Sequence, residues 1–389
     1  MRIRRFIAEL CSFSHRASCS ANEKRAAEHL LTMLRALGIR AWMEPFRSQA
    51  RMTWELVTIV ALPAAGVVLS WWWPVPALIV AIAGLLLFWG HFSVRFKPLA
   101  YLFSRATSHN VLGKIENPAA SGHVVLSAHY DTARSGFLWH PRQVRNFRLN
   151  FLLGAGVLSL IVLLLLARAL GVRWVVVDVL LGLGLLYVVG NILVLLHAGL
   201  AAPLVQGAAD NATGVGVLLD LAATLKKEPL HNYQVWVLAT GSEETGLLGM
   251  RDFVRRHAHE LPPTRTHFLV FDSLGSGQLH YCVGEGMLDL CRFRGPLVEL
   301  AREVASREPF REVTPWFYRL AQTDALVPAR KGYPTLLLLA TDAEGLLPHW
   351  HWPTDTLDNV DFRVPELASR YALELLRRLD AVAPKSPLS

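Results

Sequence analysis

The chain has 389 residues, with 52% hydrophobic and 18% charged, an unusually apolar balance for a soluble protein of one large or two small domains. Its net charge of +8 gathers at the edges of apolar segments, at Arg47, Arg51, Arg95, Lys97, Arg142, Arg145 and Arg148, and no arginine-rich helix or aromatic-interleaved basic patch accompanies it, so nucleic acid is not an expected partner. The four cysteines, Cys11, Cys19, Cys282 and Cys291, form no CxxC pair and read as reduced thiols.

The N-terminus has basic residues but no apolar stretch of signal-peptide length, so no cleavable signal is expected. Asn22 to Leu37 places Ala26, Leu30, Met33, Leu34 and Leu37 at helical spacing, with Gly38 as the stop. A short strand follows over Ile39 to Pro45.

From Leu56 to Ser70 the chain is nearly free of charge, and from Val75 to Phe92 it is charge-free again. Each run approaches the roughly 20 residues that span a bilayer core. Trp71, Trp72, Trp73 and Pro74 between them suit a turn at the membrane interface. Leu149 to Ala167 and Trp174 to Leu196 form a second such pair, joined by a loop with Arg168 and Arg173. Asp178 lies near the start of the last limb and is expected at the interface. Two transmembrane hairpins, four spanning helices in all, are therefore expected at 55–93 and 149–199.

The remaining segments, 1–54, 94–148 and 200–382, alternate strand and helix, with a tail at 383–389. Strands are expected at His109–Glu116, His123–Ala128, Gln234–Ala239, His267–Phe271 and Pro334–Ala340, and helices at Asn211–Leu225, Leu247–His257 and Val364–Leu379. This is an α/β pattern with a mixed, mainly parallel sheet flanked by helices.

Acids and histidines collect where these strands end. His129-Tyr130-Asp131 follows one strand, Glu243-Glu244 another, and Asp272 a third; Asp210 precedes a helix, and His351 sits in a Trp/Pro-rich loop. Ligands of open α/β sheets bind beyond the carboxyl ends of the strands. His129, Asp210, Glu244, Asp272 and His351 supply two imidazoles and three carboxylates, a donor set for two zinc ions sharing a bridging carboxylate. Cobalt or manganese suits the same donors. Asp131 is placed to orient His129, and Glu243 to act as general base. Singly, such residues are more often a structural histidine, a solvated acid pair or a helix cap. Their recurrence at successive strand ends carries the reading.

The stretches VVLSAHYDT (124–132), GAADNATGVGVLLDLA (207–222), WVLATGSEETGLLGMRDFV (236–254), FLVFDSLGSG (268–277) and HWPTDTLDNVD (351–361) resemble the M28 family of zinc peptidases. The resemblance covers about 18–360 outside the hairpins. It implies a mixed eight-stranded sheet and two zinc ions. His129 and Asp272 would hold one, Glu244 and His351 the other, and Asp210 would bridge. It further implies Glu243 as base, Asp131 behind His129, and hydrolysis of peptides at a free N-terminus by a metal-bound hydroxide. The spacing to Asp355-Thr356 favours His351 over His349. The chain departs from the family at Gln322-Thr323-Asp324-Ala325, where a histidine is usual; Asp324 is a candidate for orienting substrate.

Both hairpins return the chain to its starting side, where basic residues are denser, so the peptidase segments are expected in the cytoplasm. Two other readings remain open: a single-zinc enzyme of the glutaminyl cyclase type, and a non-catalytic receptor or scaffold on the same fold.

Overall fold

A computed structural model describes residues 2–382; the expected tail lies outside them. Nine strands form one mixed sheet: β1 (Arg40–Ser48), β2 (Ala106–Ile115), β3 (Gly122–His129), β4 (Tyr233–Thr240), β5 (Thr266–Phe271), β6 (Gln278–Glu285), β7 (Cys291–Arg292), β8 (Thr314–Tyr318) and β9 (Thr335–Thr341). The order is β1-β2-β4-β3-β5-β9-β6-β7, with β8 on β6. Strands β4, β3, β5 and β9 run parallel, while β1–β2, β2–β4, β6–β9 and β6–β7 pair antiparallel. The sheet is therefore mixed, parallel through its centre and again between β6 and β8, rather than mainly parallel. The short β7 and the Pro-containing β8 extend it beyond eight strands. Residues of β3, β4, β5 and β9 are buried almost throughout, as strands covered on both faces must be.

Six helices precede or follow the early strands: α1 (Arg2–Cys11), α2 (Ala21–Ala36), α3 (Thr53–Leu69), α4 (Pro74–Phe92), α5 (Pro98–Phe103) and α6 (Pro141–Val144). Next come α7 (Phe147–Ala169), α8 (Val175–Leu196) and α9 (Thr213–Lys227), then α10 (Leu248–Arg256), α11 (Pro296–Ala305), α12 (Leu326–Arg330) and α13 (Arg363–Val382). Helix α2 starts on Ser20, whose hydroxyl accepts the Glu23 N–H. Helices α1, α9, α11 and α13 share one core with the sheet, and α10 and α12 sit in a second core.

Helices α3, α4, α7 and α8 pack together in a core of their own, including Ile59, Val67, Ala81, Phe88, Leu158, Ile161, Leu165 and Leu181. Gly84 lets α3 and α4 approach closely, since a Cβ there would meet Pro63 Cδ at 2.4 Å. Among the described residues, three helices are long and apolar enough to cross a membrane: α4, α7, and α8 with its extension to Ala201. Helix α3 is equally apolar but has 17 residues and contains Pro63. Outer residues such as Leu163, Val175 and Leu186 are more than half exposed, so the bundle presents an extended apolar surface. Asp178 pairs with the buried Arg168, which also donates to Ser70 Oγ at 2.6 Å, tying the two hairpin turns together.

Candidate metal centre

Parallel strands β3, β4 and β5 end together, so His129, the Glu243-Glu244 loop and Asp272 arrive at one sheet edge. Asp210 comes from the turn before α9, and His351 from the loop after β9. Asp210 Oδ1 lies 3.0 Å from His129 Nε2, and Oδ2 lies 3.1 Å from His351 Nε2. Asp272 Oδ2 is 3.8 Å from His129 Nε2, and Glu244 Oε2 is 3.1 Å from His351 Nε2. All five expected ligands converge. The donor atoms of His129, Asp210 and Glu244 lie within 4.8 Å of one another.

The donors fit metal ions. Two donors on one tetrahedral zinc, each at about 2.1 Å, stand roughly 3.4 Å apart, and the four distances bracket that value. His129 Nδ1–H donates to the Asp131 carbonyl oxygen at 3.2 Å, which turns Nε2 toward the acids, where a metal ion would displace its proton. Glu244 Oε1 and His351 Nδ1 are buried without a hydrogen-bond partner. Carboxylates outnumber the histidines, so the cluster calls for added positive charge.

The electrostatics follow from that crowding. Burial alone would lower His129, but the Glu243 charge and bonds to Asp131, Asp210 and Asp272 hold it well above its ordinary pKa. Burial would likewise lower His351; Glu244 and Asp210 raise it to about 10. Burial would raise Asp210, yet its two histidines pull it below the ordinary range. Glu243 is pushed well up by burial and by Glu244, Asp324 and Asp272, against the opposing pull of His129.

Supporting residues fix the backbone. The Asp131 carboxylate accepts the N–H of Glu243 at 3.0 Å, the N–H of Glu244 at 3.2 Å and the Ser18 hydroxyl at 2.6 Å. Its nearer contact with His129 is through the carbonyl; its carboxylate stands 3.6 Å from Nδ1. Asp355 accepts the N–H groups of Ala209 and Asp210. Buried Arg16 donates to the carbonyls of Tyr130, Gln206 and Gly207. Ser242, Ser273 and His351 hold positive φ of 54°, 50° and 50°, left-handed turns that non-glycine residues keep where the surroundings impose them.

Asp324 is buried against Thr240 and, unlike Thr323, does not line the cavity. Its Oδ2 accepts the Thr240 hydroxyl and its Oδ1 has no partner. Burial pushes its carboxyl up to about 7. His349 faces Thr354 instead of the cluster. Sequence reasoning missed Arg16, Ser18 and Trp139. It also missed Lys97, a buried amine within 3.3 Å of the Gly246 carbonyl, whose pKa burial lowers to about 8. A lysine beside a predicted membrane run reads as an anchor, and only the folded chain brings it to the Glu243 loop.

Residues 192–376, a little under half of the chain, match the model of Peptidase family M28. Asp210, Glu243, Glu244, Asp272 and His351 fall within the match, and His129 and Asp131 precede it. A 59-residue stretch is 42% identical to the alkaline phosphatase isozyme conversion protein of Escherichia coli (strain K12); it covers 15% of this chain and 17% of that protein. Among solved structures, a Zn-dependent exopeptidase from Parabacteroides distasonis superposes with TM-score 0.59 at 14% identity, covering 97% of both chains. The Bacillus subtilis zinc aminopeptidase BSAP gives 0.57 at 16% identity over 99% of this chain and 96% of that one. Glutaminyl cyclase from Bacteroides thetaiotaomicron gives 0.57 at 13% over 97% and 96%. These likenesses show the fold.

Proposed function

We propose that the chain is a membrane-embedded metallo-aminopeptidase that removes N-terminal residues from peptides. The observation that carries this reading is Asp210 set between His129 and His351, with Asp272 and Glu244 as the outer acids. Two ions would be held, one by His129 and Asp272, one by Glu244 and His351, with Asp210 common to both. Metal there would supply Lewis acidity and make the attacking water more acidic. Glu243 faces the same cavity and would take the water proton and pass it to the leaving amine. Asp131 would keep His129 and the Glu243 loop in register. Asp324, buried against Thr240, would act on substrate only indirectly, through the end of β4 that carries Glu243 and Glu244.

In the same proposal α3, α4, α7 and α8 all span the bilayer, as hairpins 55–93 and 149–199 inserted into one peptidase domain. Helix α3 is about 26 Å long at 1.5 Å per residue, close to the ~30 Å hydrocarbon core. The basic flanks favour a cytoplasmic peptidase domain. Cys282 is buried and Cys291 partly exposed, so an impermeant thiol reagent on intact cells would report through Cys291. Its labelling there would overturn the orientation.

The test is hydrolysis of aminoacyl fluorogenic substrates by the full chain in detergent, with metal content, for wild type and Glu243→Gln. Turnover with two metals per chain, lost in the variant with metal retained, is expected. One metal per chain and release of ammonia from glutaminyl peptides would replace this reading with the cyclase. No metal and no turnover in folded protein would leave the scaffold.

A further inference from the structure

One continuous cavity of about 820 Å³ runs from the candidate metal centre into the helical bundle. Asp210, Glu243, Glu244, Asp272 and His351 line its polar end. Trp139 forms the adjoining wall: its ring meets His351 edge-on at 4.3 Å and stacks on Phe147, the first residue of α7, at 5.2 Å. Beyond it, Phe151 packs on Phe88 at 5.7 Å and on Phe92 at 4.9 Å. The lining continues along α7 to Leu158. From Phe147 to Leu158 is roughly 16 Å at 1.5 Å rise per residue, close to half of the ~30 Å hydrocarbon core. The cavity is thus about one leaflet deep.

Its apolar walls are partly accessible. Leu153 and Leu186 line the cavity and are 54% and 70% exposed. Gly154 and Gly190 leave room between α7 and α8: a Cβ on Gly190 would meet nothing within 4 Å, and one on Gly154 only Tyr187 Oη at 3.3 Å. A spanning helix of ~20 residues, about 10 Å across and 30 Å long, fills on the order of 2,400 Å³. The cavity is too small for that, and its size is that of a single small ligand.

We infer that this cavity takes amides whose leaving group carries one hydrocarbon chain: the aminoacyl end sits among the carboxylates, and the chain lies along α7 inside the bundle. The inference rests on the aminopeptidase reading. In the reaction the carbonyl C–N bond breaks, and water gives its hydroxyl to the carbonyl carbon and a proton to the leaving nitrogen. The products are a free amino acid, which leaves toward water, and an amphiphilic amine, which remains in the bilayer.

The test compares leucine amide with leucyl-dodecylamide at fixed mole fraction in micelles, using the full chain. Partitioning is then the same for every variant. Gly190→Trp and Gly154→Trp should each lower the ratio of dodecylamide to amide turnover at least tenfold. A leucyl ketone with a twelve-carbon chain tipped by a diazirine should label the Phe151–Leu158 stretch, and Gly190→Trp should abolish that label. An unchanged ratio, or labelling confined to outward residues such as Leu163, overturns the inference while leaving the aminopeptidase intact. If wild type cleaves neither amide, the aminopeptidase reading fails. The label then decides alone: on Phe151–Leu158 it sustains the chain site, and elsewhere it removes it.

Discussion

The Asp131 carboxylate accepts the backbone N–H of Glu243 at 3.0 Å, so the acid two residues past His129 holds the loop that carries the candidate base. One side chain thereby couples the end of β3 to the end of β4. Asp131→Asn keeps the shape but turns one acceptor into a donor facing N–H groups. Metal affinity or kcat should fall about 10–100-fold, the usual cost of losing a partner behind a ligand. Metal titration of the purified variant, beside its kinetics, checks this; wild-type values on both would discard the role.

Glu243→Gln should retain metal and lose about 10²–10⁴ in kcat, the range for removing a general base. Elemental analysis and steady-state kinetics on one preparation decide it. A variant that loses metal as well would place Glu243 among the ligands instead.

Asp210→Asn leaves one oxygen between the two histidines. Metal content should fall below wild type, and turnover should drop by more than the ~10–100-fold that outer partners cost. Binding of two metals with wild-type activity would rule out a shared carboxylate.

Glu285 ends β6 and is buried beside Thr323, where the charges of Asp272 and Asp324 add to the effect of burial. Burial raises its carboxyl from 4.5 to about 8, opposed by hydrogen bonds from the N–H and hydroxyl of Thr323. An acid with a raised folded pKa contributes fully below its unfolded value and loses that contribution as pH climbs to the folded one. Wild-type thermal stability should therefore decline between about pH 4.5 and 8 from this group. Glu285→Gln should flatten that slope in melting curves recorded across the window. An identical slope in the variant would mean that Glu285 does not carry it.

Much of the site is legible in the sequence because its chemistry sits at strand ends, where local pattern predicts an edge. His129, Glu244 and Asp272 follow recognisable runs of buried strand, and the structure brings them together. Strands β6 and β8 are harder to read, since Gly284 and Pro315 break the alternation and pairing with β9 or with each other sustains them. The partners of the loops are illegible for a different reason. Arg16 meets Gly207, and Lys97 meets Gly246, across more than a hundred residues, and no periodicity encodes such contacts.

The Gln49 amide donates both to Glu55 of α3 at 2.8 Å and to the Thr245 carbonyl at 3.0 Å, while Glu55 meets His91 of α4 at 2.7 Å. Gln322 completes the join by donating to the Phe92 carbonyl at 2.6 Å. The loop bearing Glu243 and Glu244 is thus braced by the inner ends of the first apolar hairpin. Trimming that hairpin to obtain a shorter fragment would remove part of the frame on which the loop of Glu243 and Glu244 rests. Any shift of α3 against α4 would reach the candidate metal centre through Gln49, Glu55 and His91.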